Sequence, residues 1–142
     1  MTTEIDSTAS DKAEIADIMI RYATGIDARD DEILRSCWAE DCVADYGEVG
    51  VFRSPTEVMD FMREAHKDMP ATYHRISNIS TEVAGDTATT RSYFHGLMDL
   101  GGGAWVDAYG HYDDELVRSP GGWKIRHRRV TIARQRFEGL PE

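Results

Sequence analysis

"ATYHRISNISTEVAGDTATTRSYFHGLMDL", residues 71–100, decides the fold. It reads as two long strands, roughly 72–84 and 87–99, joined at "AGDTA" (84–88), where Gly and Asp favour a tight turn. The pattern repeats downstream. Strands over 104–117 and 123–136 are separated by "LGGGA" (100–104) and "RSPGGW" (118–123), both rich in turn residues. Connections this short join antiparallel neighbours, so the second half predicts a four-stranded meander.

Upstream, the period is helical. Ile15, Ala16, Met19, Tyr22, Ala23 and Ile26 form one apolar stripe, with Ser10 or Asp11 as a cap and Glu14 placed to pair with Asp11. Residues 1–9 read as a frayed tail. A short helix follows from about Asp30, with Ile33, Leu34 and Cys37 facing inward. "CVADYG" (42–47) and "VGVFRS" (49–54) are short extended pieces. Ser54–Pro55 then starts a third helix, carrying Val58, Phe61, Met62 and Ala65 inward and stopping before Pro70. Helices followed by an antiparallel meander make an α+β domain, one unit over residues 10–142. A curved sheet wrapped around these helices leaves a cone-shaped hollow, the kind of space in which small molecules bind.

At 142 residues, with 41% hydrophobic and 30% charged residues, the chain fits a single folded core. A net charge of -10 speaks against nucleic acid and anionic membrane surfaces. The basic run "KIRHRR" (124–129) fits a strand whose side chains meet acidic partners. "MTTEIDSTAS" has neither the basic start nor the apolar middle of a leader, and no apolar run spans a bilayer, so a cytoplasmic location is the expectation. Cys37 and Cys42 lack metal or redox spacing and read as core residues, Cys37 beside a possible pocket wall. No metal-binding motif and no glycine-rich phosphate loop occurs, so neither metal nor cofactor is expected.

Two polar residues stand out. Asp27 in "GIDARDDEIL" ends the first apolar stripe, where it either caps the next turn or pairs inside the cone. His74 in "YHRIS" alternates onto one face with Ile76 and Asn78. A carboxylate bonded to one imidazole nitrogen fixes the tautomer and leaves the other nitrogen as a base, which suits removal of a carbon-bound proton. His95 and His111 lie on strands whose inward face the pattern leaves open, His66 reads as exposed on its helix, and His127 reads as structural.

The order of elements, with "GIDARDDEIL", "CVADYG", "YHRISN" and "GHYDDELVRSPGGWKIRHRRV", resembles the nuclear-transport-factor-2-like superfamily over about residues 10–136. Within it, the SnoaL-like group that includes scytalone dehydratase and the lindane dehydrochlorinase is most similar. The resemblance implies a cone-shaped α+β barrel and makes Asp27 and His74 the catalytic dyad. It also implies a hydrogen-bonding role for Tyr46, from the Asp45–Tyr46 pair, a pocket-wall place for Trp38, and a late-strand arginine at Arg118. Tyr22, Phe61, Ile76 and Tyr112 complete the expected lining. The dehydratase has tyrosine immediately before its aspartate, and Ile26 departs from that. The expected activity is a cofactor-independent lyase or isomerase acting on a small apolar cyclic molecule, in a homodimer or homotrimer. A non-catalytic binding or interaction module, or an accessory β-type subunit of an oxygenase, shares this fold and stays open.

Overall fold

The computed structural model describes residues 2–142, with side chains from residue 7. Helix α1 (Thr2–Ala28) and the short α2 (Asp31–Ser36) lead into β1 (Trp38–Asp45), a single 3-10 turn (Gly47–Val49) and β2 (Val51–Phe52). Helix α3 (Pro55–His66) is followed by β3 (Ala71–Ala84), β4 (Thr87–Gly101), β5 (Ala104–Ser119) and β6 (Gly122–Glu138). The strands form one open sheet in the order β2-β1-β6-β5-β4-β3. The expected meander is present, each long strand pairing antiparallel with the next.

Two expectations need correction. The sheet is not wholly antiparallel, because β1 runs parallel to β6, with Ala44 beside Arg128. No hairpin ties β1 to a long strand, so its partner is set by tertiary packing that local pattern does not encode. Helix α1 also begins at Thr2, so residues 2–9 continue the helix rather than form a tail. The run has no Gly or Pro, and Thr, Ser and Asp each cost only a few tenths of a kcal/mol against better helix formers. Residue 1 lies outside the described residues.

With the helix starting earlier, Asp11 and Glu14 have no cap to make. Asp11 instead takes Arg118 Nη1 and Nη2, both at 2.9 Å, and Trp123 Nε1 at 3.0 Å, while Glu14 accepts the Trp123 N–H at 3.3 Å. Arg118 stacks over Trp123, its guanidinium carbon 4.6 Å from the ring centre. This strap ties the N-terminal half of α1 to the β5–β6 hairpin. At its start, α3 is capped as expected, with Ser54 Oγ accepting from Glu57 N at 3.1 Å and Pro55 in the first turn.

The interior combines an apolar stripe with one ion pair. Ile15, Met19, Tyr22 and Ile26 of α1 pack against Val58 and Met62 of α3 and against Phe94, Tyr112, Leu116 and Ile125 of the sheet. Among them Arg128 Nε and Nη2 reach the two Asp114 oxygens at 2.7 and 2.8 Å, and both side chains are fully buried. The guanidinium lies between Tyr22 and Tyr112, 4.2 and 4.0 Å from their ring centres. The basic run of β6 thus finds acids on both faces, Arg128 inside and Arg126 outside with Asp41 at 3.2 Å.

Removing one partner of such a pair strands a buried charge. Asp114→Asn should therefore lose about 3–5 kcal/mol in urea unfolding. The double replacement Asp114→Leu with Arg128→Met should recover most of that loss. A single variant as stable as wild type would show that the pair does not organise the core.

Candidate active site

Asp27 is not a cap. Helix α1 ends in a Schellman arrangement, with Arg29 N bonded to Ile26 O at 3.1 Å and Asp30 N to Gly25 O at 2.9 Å. The capping of α2 falls to Asp30, whose Oδ1 accepts from Ile33 N at 3.0 Å. Asp27 is thereby free to turn toward β3. Its Oδ1 accepts from His74 Nδ1 at 2.7 Å and from Thr72 Oγ1 at 2.9 Å, and its Oδ2 accepts the His74 backbone N–H at 2.7 Å. The two side chains keep only 11% (His74) and 25% (Asp27) of their surface in contact with solvent.

Burial pushes the Asp27 carboxyl up, but the bonds from the His74 ring and N–H, the His74 charge and the Thr72 hydroxyl outweigh it and hold it below the usual range. An ionised carboxylate only accepts, so Nδ1 of His74 carries the hydrogen. In the neutral ring Nε2 is then the nitrogen with a lone pair. It lies beside Gly96, where a Cβ would stand 3.6 Å away.

A second layer holds this pair. Arg29 Nη1 donates to Thr72 Oγ1 at 3.0 Å, so the threonine hydroxyl has its own hydrogen to give to Asp27. The same guanidinium holds the Ile26 and Met69 carbonyls at 2.9 and 3.3 Å. Sequence reading missed Arg29, since nothing in "IDARD" marks which charge faces inward.

It also misplaced His66. The ring is half-buried and edge-on to His74, with centroids 6.4 Å apart. Burial first, then the charges of Arg29 and His74, pull its pKa down to about 4. Its spacing of four from buried Met62 is the signal that would have found it.

The aromatic residues of the core form a wall of ring contacts. Tyr22 and Tyr46 share a hydroxyl–hydroxyl bond of 2.5 Å. Tyr22 meets Trp38 and Tyr112 edge-on at 6.0 and 5.8 Å, and Tyr112 stacks on Phe94 at 4.8 Å. Phe61 lies 5.4 Å from Tyr46 and stacks on Phe52 at 4.4 Å. Burial raises the pKa of all three phenols, so they are neutral groups able to donate. Trp38 Nε1 and Arg128 Nη1 are buried here without a hydrogen-bond partner among the described residues. The wall thus gathers Tyr22, Trp38, Tyr46, Phe61 and Tyr112, and Ile76 packs against the same core.

Other expectations land elsewhere. Arg118 is bonded to Asp11, sixteen residues and about 24 Å along α1 from Asp27, and belongs to the strap rather than the lining. Asn78 does not continue the inward row of His74 and Ile76. A register shift between Ser77 and Ser80, with Asn78 at φ 50°, hands the inward place to Ile79. Neither His95 nor His111 faces the cone: His95 pairs with Asp107 at 2.6 Å and His111 with Asp113 at 3.6 Å on the outer face. Cys37 and Cys42 are buried free thiols, and burial drives Cys42 up to about 11.

The fold has known counterparts. The SnoaL-like domain model matches residues 7–129. An uncharacterized protein of Mycobacterium tuberculosis is 30% identical over 138 residues, covering 90% of this chain and 89% of its own. Among solved structures, a provisional scytalone dehydratase of Novosphingobium aromaticivorans superposes with a TM-score of 0.87 at 21% identity, covering 96% of this chain and 93% of its own. A type 2 hexachlorocyclohexane dehydrochlorinase, LinA, gives 0.86 at 23% identity with the same coverages. Those two likenesses carry the fold, and the family match spans most of the length: the chain belongs to the SnoaL-like family.

Proposed function

We propose that this protein is a cofactor-independent lyase or isomerase that removes a carbon-bound proton from a small, largely apolar cyclic molecule. The observation that carries the reading is the 2.7 Å bond between Asp27 Oδ1 and His74 Nδ1, which leaves Nε2 as the base. The C–H electron pair forms the new double bond as the proton moves to Nε2. Either a leaving group departs with its bonding pair or the proton returns at a second carbon. Asp27 stabilises the imidazolium in a site that little water reaches, and Tyr46, bonded to Tyr22, donates to a substrate oxygen. Two of the structural neighbours are named for eliminations, loss of water and loss of hydrogen chloride, which fits the same proton abstraction.

A test that needs no known substrate uses cyclic β-hydroxy ketones and hexachlorocyclohexane in D2O, reading elimination and carbon-bound deuterium. Wild type should eliminate or exchange, and His74→Gln and Asp27→Ala should each fall by about 10²–10⁴-fold while circular dichroism shows the fold intact. A folded His74→Gln variant with near-normal turnover would overturn the assignment. Binding of these probes by wild type with neither elimination nor exchange would favour a carrier.

We also propose that the outer sheet face packs against further copies, as a homodimer or homotrimer. Tyr73, Tyr93 and Tyr109 are each about half exposed there, rings that gain from burial. Sedimentation should show an oligomer at micromolar concentration and a smaller species for Tyr93→Glu, and a monomeric wild type would refute this.

A further inference from the structure

Behind the His74 ring, between the end of α1, α2 and the last turn of α3, lies a cleft of about 360 Å3. Ile26, Leu34, Met62 and Met69 supply its apolar lining, and Arg29, Arg63, Lys67 and His66 stand with Asp31 as its polar residues. Three permanent cations against one carboxylate invert the balance of a chain with 16 basic and 26 acidic residues. Two of the cations are offset by neighbours. Arg63 meets Asp31 and Asp60 at 2.6 and 3.2 Å, and Lys67 meets Glu64 at 2.7 Å. Arg29 differs, since its guanidinium is held by three neutral oxygens, those of Ile26, Met69 and Thr72. The Thr72 hydroxyl links it to Asp27.

We propose that this cleft binds an organic carboxylate, with the carboxylate group on Arg29 and the rim cations Arg63 and Lys67, and the apolar body on Ile26, Met62 and Met69. A planar guanidinium matches a carboxylate in charge and geometry. One guanidinium held by neutral oxygens suits a single negative charge better than a phosphate dianion. The apolar lining selects an acid with a ring or chain rather than a bare inorganic ion. His66 separates the cleft from the dyad, so binding does not depend on the elimination chemistry proposed above.

The site is coupled to His66. The groups facing that imidazole are Asp27 from α1, Arg29 just after it, His74 from β3, and the Met62 carbonyl of its own helix, with Asp31, Arg63 and Lys67 around the same cleft. A bound carboxylate adds negative charge to this set and favours the protonated ring. The His66 midpoint, held at about 4 in the free protein, therefore moves upward on binding.

The experiment titrates the full chain with 2-naphthoate and with 2-naphthamide, following His66 ring C–H signals by NMR and heats by calorimetry. Naphthoate should bind at least tenfold more tightly than the amide, raise the His66 midpoint and weaken with salt. Arg29→Gln should abolish the preference. Because that change also frees Thr72, the rim double variant Arg63→Gln with Lys67→Gln supplies an independent arm and should weaken naphthoate severalfold. His74→Gln should bind naphthoate as wild type does, which separates this site from the dyad. Equal affinities for acid and amide, an unmoved His66 signal, or naphthoate binding indifferent to the rim variant would overturn the proposal.

Discussion

An arginine with no exposed side-chain surface holds the interior together. Arg128 loses all contact with water, a cost of several kcal/mol that only good partners offset. Asp114 supplies two charge-assisted bonds, and Tyr22 and Tyr112 supply a π face on either side. Because Tyr22 is on α1, Asp114 and Tyr112 on β5 and Arg128 on β6, four side chains pin the helix against the sheet at one height. Asp27 follows Tyr22 by five residues, about 7.5 Å further along the axis. The core ion pair thus sets where the end of α1 meets β3, and the Asp27–His74 bond forms at that meeting point.

What could be read in the sequence follows from which forces are local. Helical spacing in α1, the Ser54–Pro55 start of α3 and the glycine-rich breaks between long strands are all short-range signals, and apart from the start of α1 the elements appear where they place them. Asp27 and His74 were legible as odd residues, a charge and an imidazole on otherwise apolar faces. Their contact was not, because 47 positions separate them and only the sheet curvature brings them together.

The failures have the same origin. The parallel pairing of β1 with β6, the register shift at Asn78 and the turn of Asp11 toward Trp123 are answers to distant neighbours. Arg128 is the sharpest case. Within "KIRHRR" it looks like its neighbours, yet a register irregularity at Arg126 resets the alternation, so that Arg128 is buried as Ile125 is while Arg126 and Arg129 stay in solvent. A run of like charges hides the one that is buried, since its partner Asp114 lies on another strand.

Arg29 joins the two halves of the site. It occupies the residue after the helix, where φ is 54° and glycine is the usual choice because it has no Cβ to strain. A non-glycine residue there costs of order 1 kcal/mol or more, and the backbone keeps it because the side chain is fastened at three points. Those bonds do separate things. The one to Ile26 O gives a second donor to a carbonyl that also accepts the Arg29 backbone N–H, and the one to Met69 O anchors the segment entering β3. The one to Thr72 orients a hydroxyl toward Asp27. Glycine would relax the backbone and lose all three. The strained residue is therefore the link through which the end of α1, the carboxylate beside His74 and the cationic cleft share one geometry.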